Sequence, residues 1–251
     1  MNPLGEETSV MRTTLIPNML DVISTNISHK VEEVSAFECG NTFIPQEGLP
    51  IETKKYCVGM YGKEVDFFVL KGVIESVLNN VGLKGYEIEP ETTNLTFHPG
   101  RCAKIVYNNI YIGTFGELHP DVIENYNLGQ RVYVAEINID TVFENLNLTK
   151  SYNPLPKYPS TSRDIALIVK DEVFVKQIED IIKANGEDLV ESYKLFDVYK
   201  GAQIEEGHKS IAYSITYRSK DKTLTDEDVA KVHEKILSEL SEKLNANLRS
   251  N

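Results

Sequence analysis

Apolar positions in the last hundred residues keep two periods in turn. Ile165, Leu167 and Val169 alternate with Ala166 and Ile168, which predicts a strand buried on both faces. Val175, Ile178, Ile181 and Ile182 then recur at helical spacing, and Gly186 stands where a helix would end in the left-handed conformation that only glycine adopts cheaply. A second strand is predicted from about Leu189 to Lys200, and Gly201 to Gly207 reads as a polar hairpin. In a third strand Ile211, Tyr213, Ile215 and Tyr217 point to one face, and Ser210, Ala212, Ser214, Thr216 and Arg218 to the other. The two tyrosines are expected in the core. Thr225, followed three residues later by Asp228, has the form of a capping box, and Val229, Val232, Ile236, Leu240 and Leu244 form an apolar stripe behind it. A short tail from Ala246 to Arg249 adds a last strand. The order β-α-β-β-α-β is the split arrangement of a ferredoxin-like sandwich, two helices on an antiparallel sheet.

The first 150 residues follow a different pattern. Strands are predicted near Val34 to Phe43, Lys55 to Tyr61, Cys102 to Tyr107, Tyr111 to Glu117 and Arg131 to Ile139, with Asn108-Asn109 as a two-residue hairpin turn. Two helices stand out, one from Pro17 with Leu20, Ile23 and Ile27 on a face, the other opened by Asp66 with Leu70, Val73, Ile74, Val77 and Val81 ahead of Gly82. This half reads as α+β on an antiparallel sheet. Between the halves, Pro154, Pro156 and Pro159 rule out helix. The chain therefore divides into 1–150, an extended linker 151–158, and 159–251.

Composition is ordinary for a globular protein, and no apolar run is long enough to cross a bilayer, so a soluble cytoplasmic protein is expected. The formal net charge of −12 disfavours broad attraction to a polyanion, and DNA is not expected as a partner. The charge is uneven: residues 1–156 hold 11 Lys and Arg against 20 Asp and Glu, whereas 157–251 hold 15 against 18. Cys39, Cys57 and Cys102 are widely spaced, form no paired C-x-x-C, and read as buried small hydrophobes in a reducing compartment. No metal-ligating pair of histidines occurs on a predicted helix, and no metal site is expected.

No nucleophile elbow, phosphate-binding P-loop or dinucleotide fingerprint is present. Gly113-Thr114-Phe115-Gly116-Glu117 is read as glycines where strands bend or pack closely. His98 and His119, each ahead of a proline, are read as structural turn residues. Arg163-Asp164 is either a contact residue pair or a local ion pair that fixes the linker.

Several segments resemble one family. Asn2-Pro3-Leu4-Gly5-Glu6-Glu7-Thr8-Ser9-Val10-Met11-Arg12-Thr13-Thr14-Leu15-Ile16-Pro17, the His98-Pro99-Gly100-Arg101 turn and the run from Gly113 to Pro120 resemble the catalytic-like module of the bacterial phenylalanyl-tRNA synthetase β subunit. Tyr158 to Ala166, Leu195-Phe196-Asp197-Val198-Tyr199, Lys209-Ser210 and Thr223 to Val229 resemble that family's ferredoxin-fold anticodon-binding domain. The match runs through essentially the whole chain in order, and the loop-like opening suggests a piece of a longer protein. The resemblance implies an inactive class II synthetase-fold module that packs on the catalytic α subunit of an α2β2 heterotetramer. No catalytic residue and no cofactor is expected here, and ATP and Mg belong to the whole enzyme. A class II site needs arginines to hold ATP phosphates, whereas residues 1–156 contain only Arg12, Arg101 and Arg131.

For the C-terminal part the resemblance implies recognition of the anticodon loop of phenylalanine tRNA. Loop bases are read by stacking on aromatics and by hydrogen bonds to their edges. Tyr199 would stack a base, Asp197 would accept from a guanine edge, and Ser210 would donate or accept beside them. Asp197 and Tyr199 are two apart on one strand and so share a face. Lys200, Lys209, Arg218, Lys220 and Lys222 are expected near the same hairpin and strand end as phosphate contacts. A ferredoxin-like sandwich by itself does not fix function, and a small-molecule sensor is the alternative of a different class.

Overall fold

The computed structural model describes Gly5, 9–149, Tyr152, 154–201 and 203–249. The Asn2-Pro3-Leu4 and Glu6-Glu7-Thr8 parts of the opening motif, and residues 151 and 153 of the expected linker, lie outside the described residues. The chain forms two compact units, Met1–Ser151 and Tyr152–Asn251.

The first unit runs α1 (Ile16–Ser28), β1 (Val34–Ile44), β2 (Ile51–Tyr61), α2 (Phe67–Asn80), β3 (Glu87–Pro90), β4 (Phe97–Tyr107), β5 (Ile110–Leu118), α3 (Pro120–Asn125), β6 (Tyr133–Asn138) and α4 (Ile139–Glu144). Its six strands form one antiparallel sheet in the order β1-β2-β6-β5-β4-β3. Helix α2 starts as its sequence dictates, with the Asp66 carboxylate accepting the Val69 N–H at 2.8 Å. The β4–β5 turn is also as read: Asn108 and Asn109 both take positive φ, +49° and +63°, the geometry of a tight hairpin whose twist matches its strands.

Both faces of this sheet are buried. Leu70, Ile74 and Leu78 of α2 pack with Val58, Ile105, Phe115, Ala135 and Ile137 on one face, and Leu15, Leu20 and Ile23 pack with Tyr61, Phe97, Leu118 and Val134 on the other. The glycines of the Gly113–Gly116 run do permit close packing. A Cβ on Gly116 would lie 2.8 Å from Cys102 Cα, and one on Gly113 would collide with the Glu136 carbonyl. Three elements of this unit escape the periodicity argument, and one is the four-residue edge strand β3, too short to show alternation. The helices α3 and α4, six residues each and capped by His119 and Asn138, are too brief to show a 3.6-residue period. The cysteine expectation needs a correction: Cys57 and Cys102 are buried, but Cys39 is exposed, because β1 is an edge strand and that position alternates outward.

The second unit runs β7 (Thr161–Lys170), α5 (Val175–Asn185), β8 (Val190–Tyr199), β9 (His208–Tyr217), α6 (Asp226–Leu244) and β10 (Asn247–Leu248). Its sheet order, β10-β7-β9-β8, and its β-α-β-β-α-β connectivity are those of the ferredoxin-like sandwich. Both helices cover one face of the sheet: Ile178, Ile182, Val229, Val232, Ile236 and Leu240 join Ile165, Leu167, Val169, Ile211, Tyr213, Ile215 and Tyr217 in one core. The Thr225 capping box forms reciprocally, each N–H of Thr225 and Asp228 reaching the other's side chain at 3.2 Å. Tyr213 and Tyr217 are fully buried, and each hydroxyl finds a partner, Glu179 at 3.3 Å and His233 Nδ1 at 2.8 Å.

Gly186 differs from expectation. It keeps right-handed φ (−71°), and Glu187 takes the left-handed position instead, φ +52°. The glycine is needed for space, since a Cβ there would lie 2.7 Å from Val190 Cβ where the chain enters β8.

Candidate nucleic-acid interface

Strand alternation alone would put Asp197 on the helix-covered face, because Leu195, two residues before it, packs against the core. A β-bulge changes that parity. The register passes from Leu195↔Tyr213 directly to Asp197↔Ala212, so Phe196 is an extra residue on β8. Residues directly opposite in an antiparallel pair share a face. Asp197 therefore lies with Ala212, and Tyr199 with Ser210, on the face that α5 and α6 leave open. The three residues expected to read a base are brought together, although by a device that alternation does not reveal. Phe196 and Asp197 are exposed; Ser210 is only 3% exposed, so an entering ligand meets its hydroxyl only after its cover shifts.

Arg249 reaches Tyr199 from the far end of the sheet order. Its backbone N–H donates to the Ala166 carbonyl at 2.9 Å, which extends the β10–β7 pairing by one residue. Although β7 and β9 stand between β10 and β8, its guanidinium carbon lies 5.6 Å from the Tyr199 ring centroid, within cation–π range. Arg249 Nη2 also donates to Gln203 Oε1 at 3.1 Å. The end of the Tyr199 ring lies against Gly201, where a Cβ would be 2.8 Å from Cζ. Sequence reading missed Arg249 as a site residue. The short β10 was legible, but which lateral neighbour its last residue reaches depends on the sheet order.

The five cations expected at one end of the site are divided. Lys200 and Lys209 flank Tyr199 and Ser210, whereas Arg218, Lys220 and Lys222 follow the opposite end of β9, roughly 25 Å away at about 3.3 Å per residue. Arg218 is engaged there by Glu191 at 2.9 Å and the Tyr158 carbonyl, and Lys222 by Asp228 at 2.7 Å. Lys200 pairs with Asp171, and Lys209 donates to the Asp171 carbonyl at 2.8 Å. Arg163 does not pair with Asp164. Its guanidinium reaches Asp226 in the first turn of α6 at 2.6 Å, an anchor between β7 and the helix start.

In the first unit each of the three arginines faces a carboxylate of its own unit: Arg12 with Glu38 at 2.6 Å, Arg101 with Glu117 at 2.8 Å, and Arg131 with the same Glu117 at 3.7 Å. Glu136 holds the segment before α1, accepting from the Thr14 hydroxyl at 2.6 Å, from the Leu15 N–H at 2.7 Å and from Lys55 at 2.7 Å. His98 and His119 serve local turns, their Nδ1 atoms accepting the N–H groups of Gly100 at 3.1 Å and Asp121 at 3.3 Å. Among the described residues no group of three or more His, Cys, Asp or Glu side chains could hold a metal ion, and no helix is long and apolar enough to cross a membrane.

An antiparallel sheet unit followed by a ferredoxin-like sandwich defines an α+β protein of two units. Residues 156–249 match the ferredoxin-fold anticodon binding domain, and residues 1–139 match the phenylalanyl tRNA synthetase beta chain CLM domain. The chain belongs to the phenylalanyl-tRNA synthetase β chain family. It is 46% identical to the phenylalanine–tRNA ligase β subunit of Clostridium tetani and 45% identical to that of Clostridium acetobutylicum, in each case over 99% of this chain and 32% of the relative. Identity to the Bacillus licheniformis β subunit is 37%, over 98% of this chain and 32% of the relative. The chain thus spans about a third of the length of the curated relatives it matches. Over 53% of its length it also resembles a solved pyrrolysyl-tRNA synthetase of Desulfitobacterium hafniense, 47% of which is covered, at 13% identity and a TM-score of 0.44, a likeness too slight to assign a fold.

Proposed function

We propose that this chain is the C-terminal part of a phenylalanyl-tRNA synthetase β subunit, in which the second unit recognises the anticodon region of phenylalanine tRNA. The observation that carries the reading is the bulge at Phe196, which sets Asp197 and Tyr199 on the open face beside Ser210. A base stacked on Tyr199 takes the place of the Arg249 guanidinium or slides beneath it, keeping a flat partner on each side. The Asp197 carboxylate accepts from the N–H groups of a guanine edge, a pattern that other bases do not offer. Ser210, opposite Tyr199 on β9, completes the contact once its cover moves. The small-molecule alternative has less behind it, because the face is broad and open where small ligands favour an enclosed cavity.

The first unit, in this reading, is an inactive class II synthetase-like module that supports the catalytic α subunit, two copies of each subunit making the cytoplasmic heterotetramer. ATP, Mg and phenylalanine bind on the α subunit. The pairing of Arg12, Arg101 and Arg131 with carboxylates supports this division, since a paired guanidinium is not free to clamp phosphate.

The test compares binding of a phenylalanine-tRNA anticodon stem-loop with one altered at its first anticodon base. Wild-type chain favours the matched loop, and Asp197→Ala lowers that preference about tenfold or more, on the scale of the ~1.5–3 kcal/mol carried by a hydrogen bond to a charged group. Equal binding of both loops by the wild type removes anticodon reading from this chain.

A further inference from the structure

Strand β8 carries three aromatic residues, and two of them stand outside the core. Tyr193 lies opposite Ile215 and packs against the helix-covered side. Phe196 and Tyr199 are exposed, Phe196 at 54%. Alternation from Leu195, which faces the core, turns Phe196 to the open side, and pairing with Ala212 puts Asp197 on that same side. The bulge therefore sets Phe196 and Asp197 side by side on one face, with Tyr199 two residues further on. Across the sheet the row continues in small residues, Asp197 facing Ala212 and Ala212 facing Ala166. β8 is an edge strand, and an exposed phenylalanine is a poor guard for an edge, which a lysine or proline protects better. Neither core packing nor edge protection accounts for the ring.

We propose that Phe196 is a second aromatic platform, which stacks the loop base adjacent to the one held by Tyr199, so that the open face takes two successive unpaired bases on either side of Asp197. The inference rests on the RNA reading of Asp197, Tyr199 and Ser210 and extends it from one base to two. Phe196 and Tyr199 are three residues apart, roughly 10 Å along the strand. Neighbouring nucleotides of an unpaired loop cover such a gap when their bases are splayed out. An exposed ring suits any base, because every base has a π-face, and stacking needs no positive charge on the protein. That agrees with a chain of formal net charge −12, whose affinity for RNA draws little from general attraction to phosphate. The two platforms differ in what they read. Asp197 and Ser210 give the base on Tyr199 hydrogen bonds to its edge, whereas the phenylalanine ring has no polar atom and holds its base by stacking strength, purines more firmly than pyrimidines.

The experiment titrates the full chain with the matched anticodon stem-loop and with two versions made abasic, one at the loop position before the first anticodon base and one at the position after it. An abasic position keeps its sugar and phosphate, so only stacking and edge contacts are lost. Phe196→Ala should weaken binding of the intact loop about tenfold, and one of the two abasic loops should bind wild type and Phe196→Ala equally well. Phe196→Trp should restore the affinity, and Phe196→Leu, which keeps apolar bulk without a π-face, should not. Thermal unfolding confirms that each variant is folded, and Phe196→Leu carries the test if the alanine variant is not. Loss by the same factor on the intact and both abasic loops, or no loss on the intact loop while Tyr199→Ala weakens it, overturns the second platform and leaves base reading at Tyr199 intact. Equal binding of matched and anticodon-altered loops by the wild type, with Tyr199→Ala also without effect, or failure of the wild type to bind either loop, overturns both.

Discussion

Tyr199→Ala is expected to weaken binding of the matched anticodon stem-loop by about 1–3 kcal/mol, the cost of removing one aromatic platform from beneath a base. Several features make Tyr199 the position of largest effect. It sits at the end of β8 on the open face, opposite Ser210, and its ring is already arranged to hold a flat cationic group, since the Arg249 guanidinium lies over it at 5.6 Å. In the free protein that partner keeps the ring in place, so little side-chain freedom is lost when a base arrives. Tyr199→Phe should retain most of the affinity, because the stacking surface survives. If phenylalanine were as damaging as alanine, the hydroxyl rather than the ring would be the contact. Titration by fluorescence anisotropy at fixed salt separates these outcomes.

Phe115→Ala should destabilise the first unit by about 3–5 kcal/mol, the usual cost of emptying a large aromatic site in a packed core. Phe115 is fully buried on β5 between Gly113 and Gly116, and stacks on Phe67 at the start of α2 with centroids 5.2 Å apart and planes 22° from parallel. Its ring packs with Leu70 and Ile74 of α2 and with Val58, Ala135 and Ile137 of the sheet, so its removal leaves a cavity in the centre of that core. Denaturant unfolding monitored by circular dichroism reads the loss as a lower midpoint. A shift below about 1 kcal/mol would mean that α2 closes onto the sheet when the ring is removed.

How much of this was legible from sequence depends on the range of the forces involved. Local devices were read correctly: the Asp66 cap, the Asn108-Asn109 turn, the Thr225 and Asp228 box, and the alternation that buries Tyr213 and Tyr217. Each is settled within a few residues. The bulge at Phe196 was not legible, since an extra residue is defined only by the register of the facing strand. The expectation that Asp197 and Tyr199 share a face with Ser210 agrees with the structure, yet simple alternation from Leu195 would have reversed it. Gly186 had the composition of a left-handed cap, but the approach of Val190 decided its role. The basic residues were divided because sequence proximity along β9 says nothing of which end of a ten-residue strand faces the site. Arg249 reached Tyr199 only through the order β10-β7-β9-β8, a long-range property that no window of sequence contains.

Two-dimensional amide NMR of the isotopically labelled chain during addition of the matched stem-loop tests the central claim most directly. The account predicts that the largest shifts fall on Phe196, Asp197, Tyr199, Ser210 and Arg249, with the helix α5 and α6 amides little changed. Shifts concentrated on α5 and α6, or on the first unit, with the open face of the second unit silent, would contradict it.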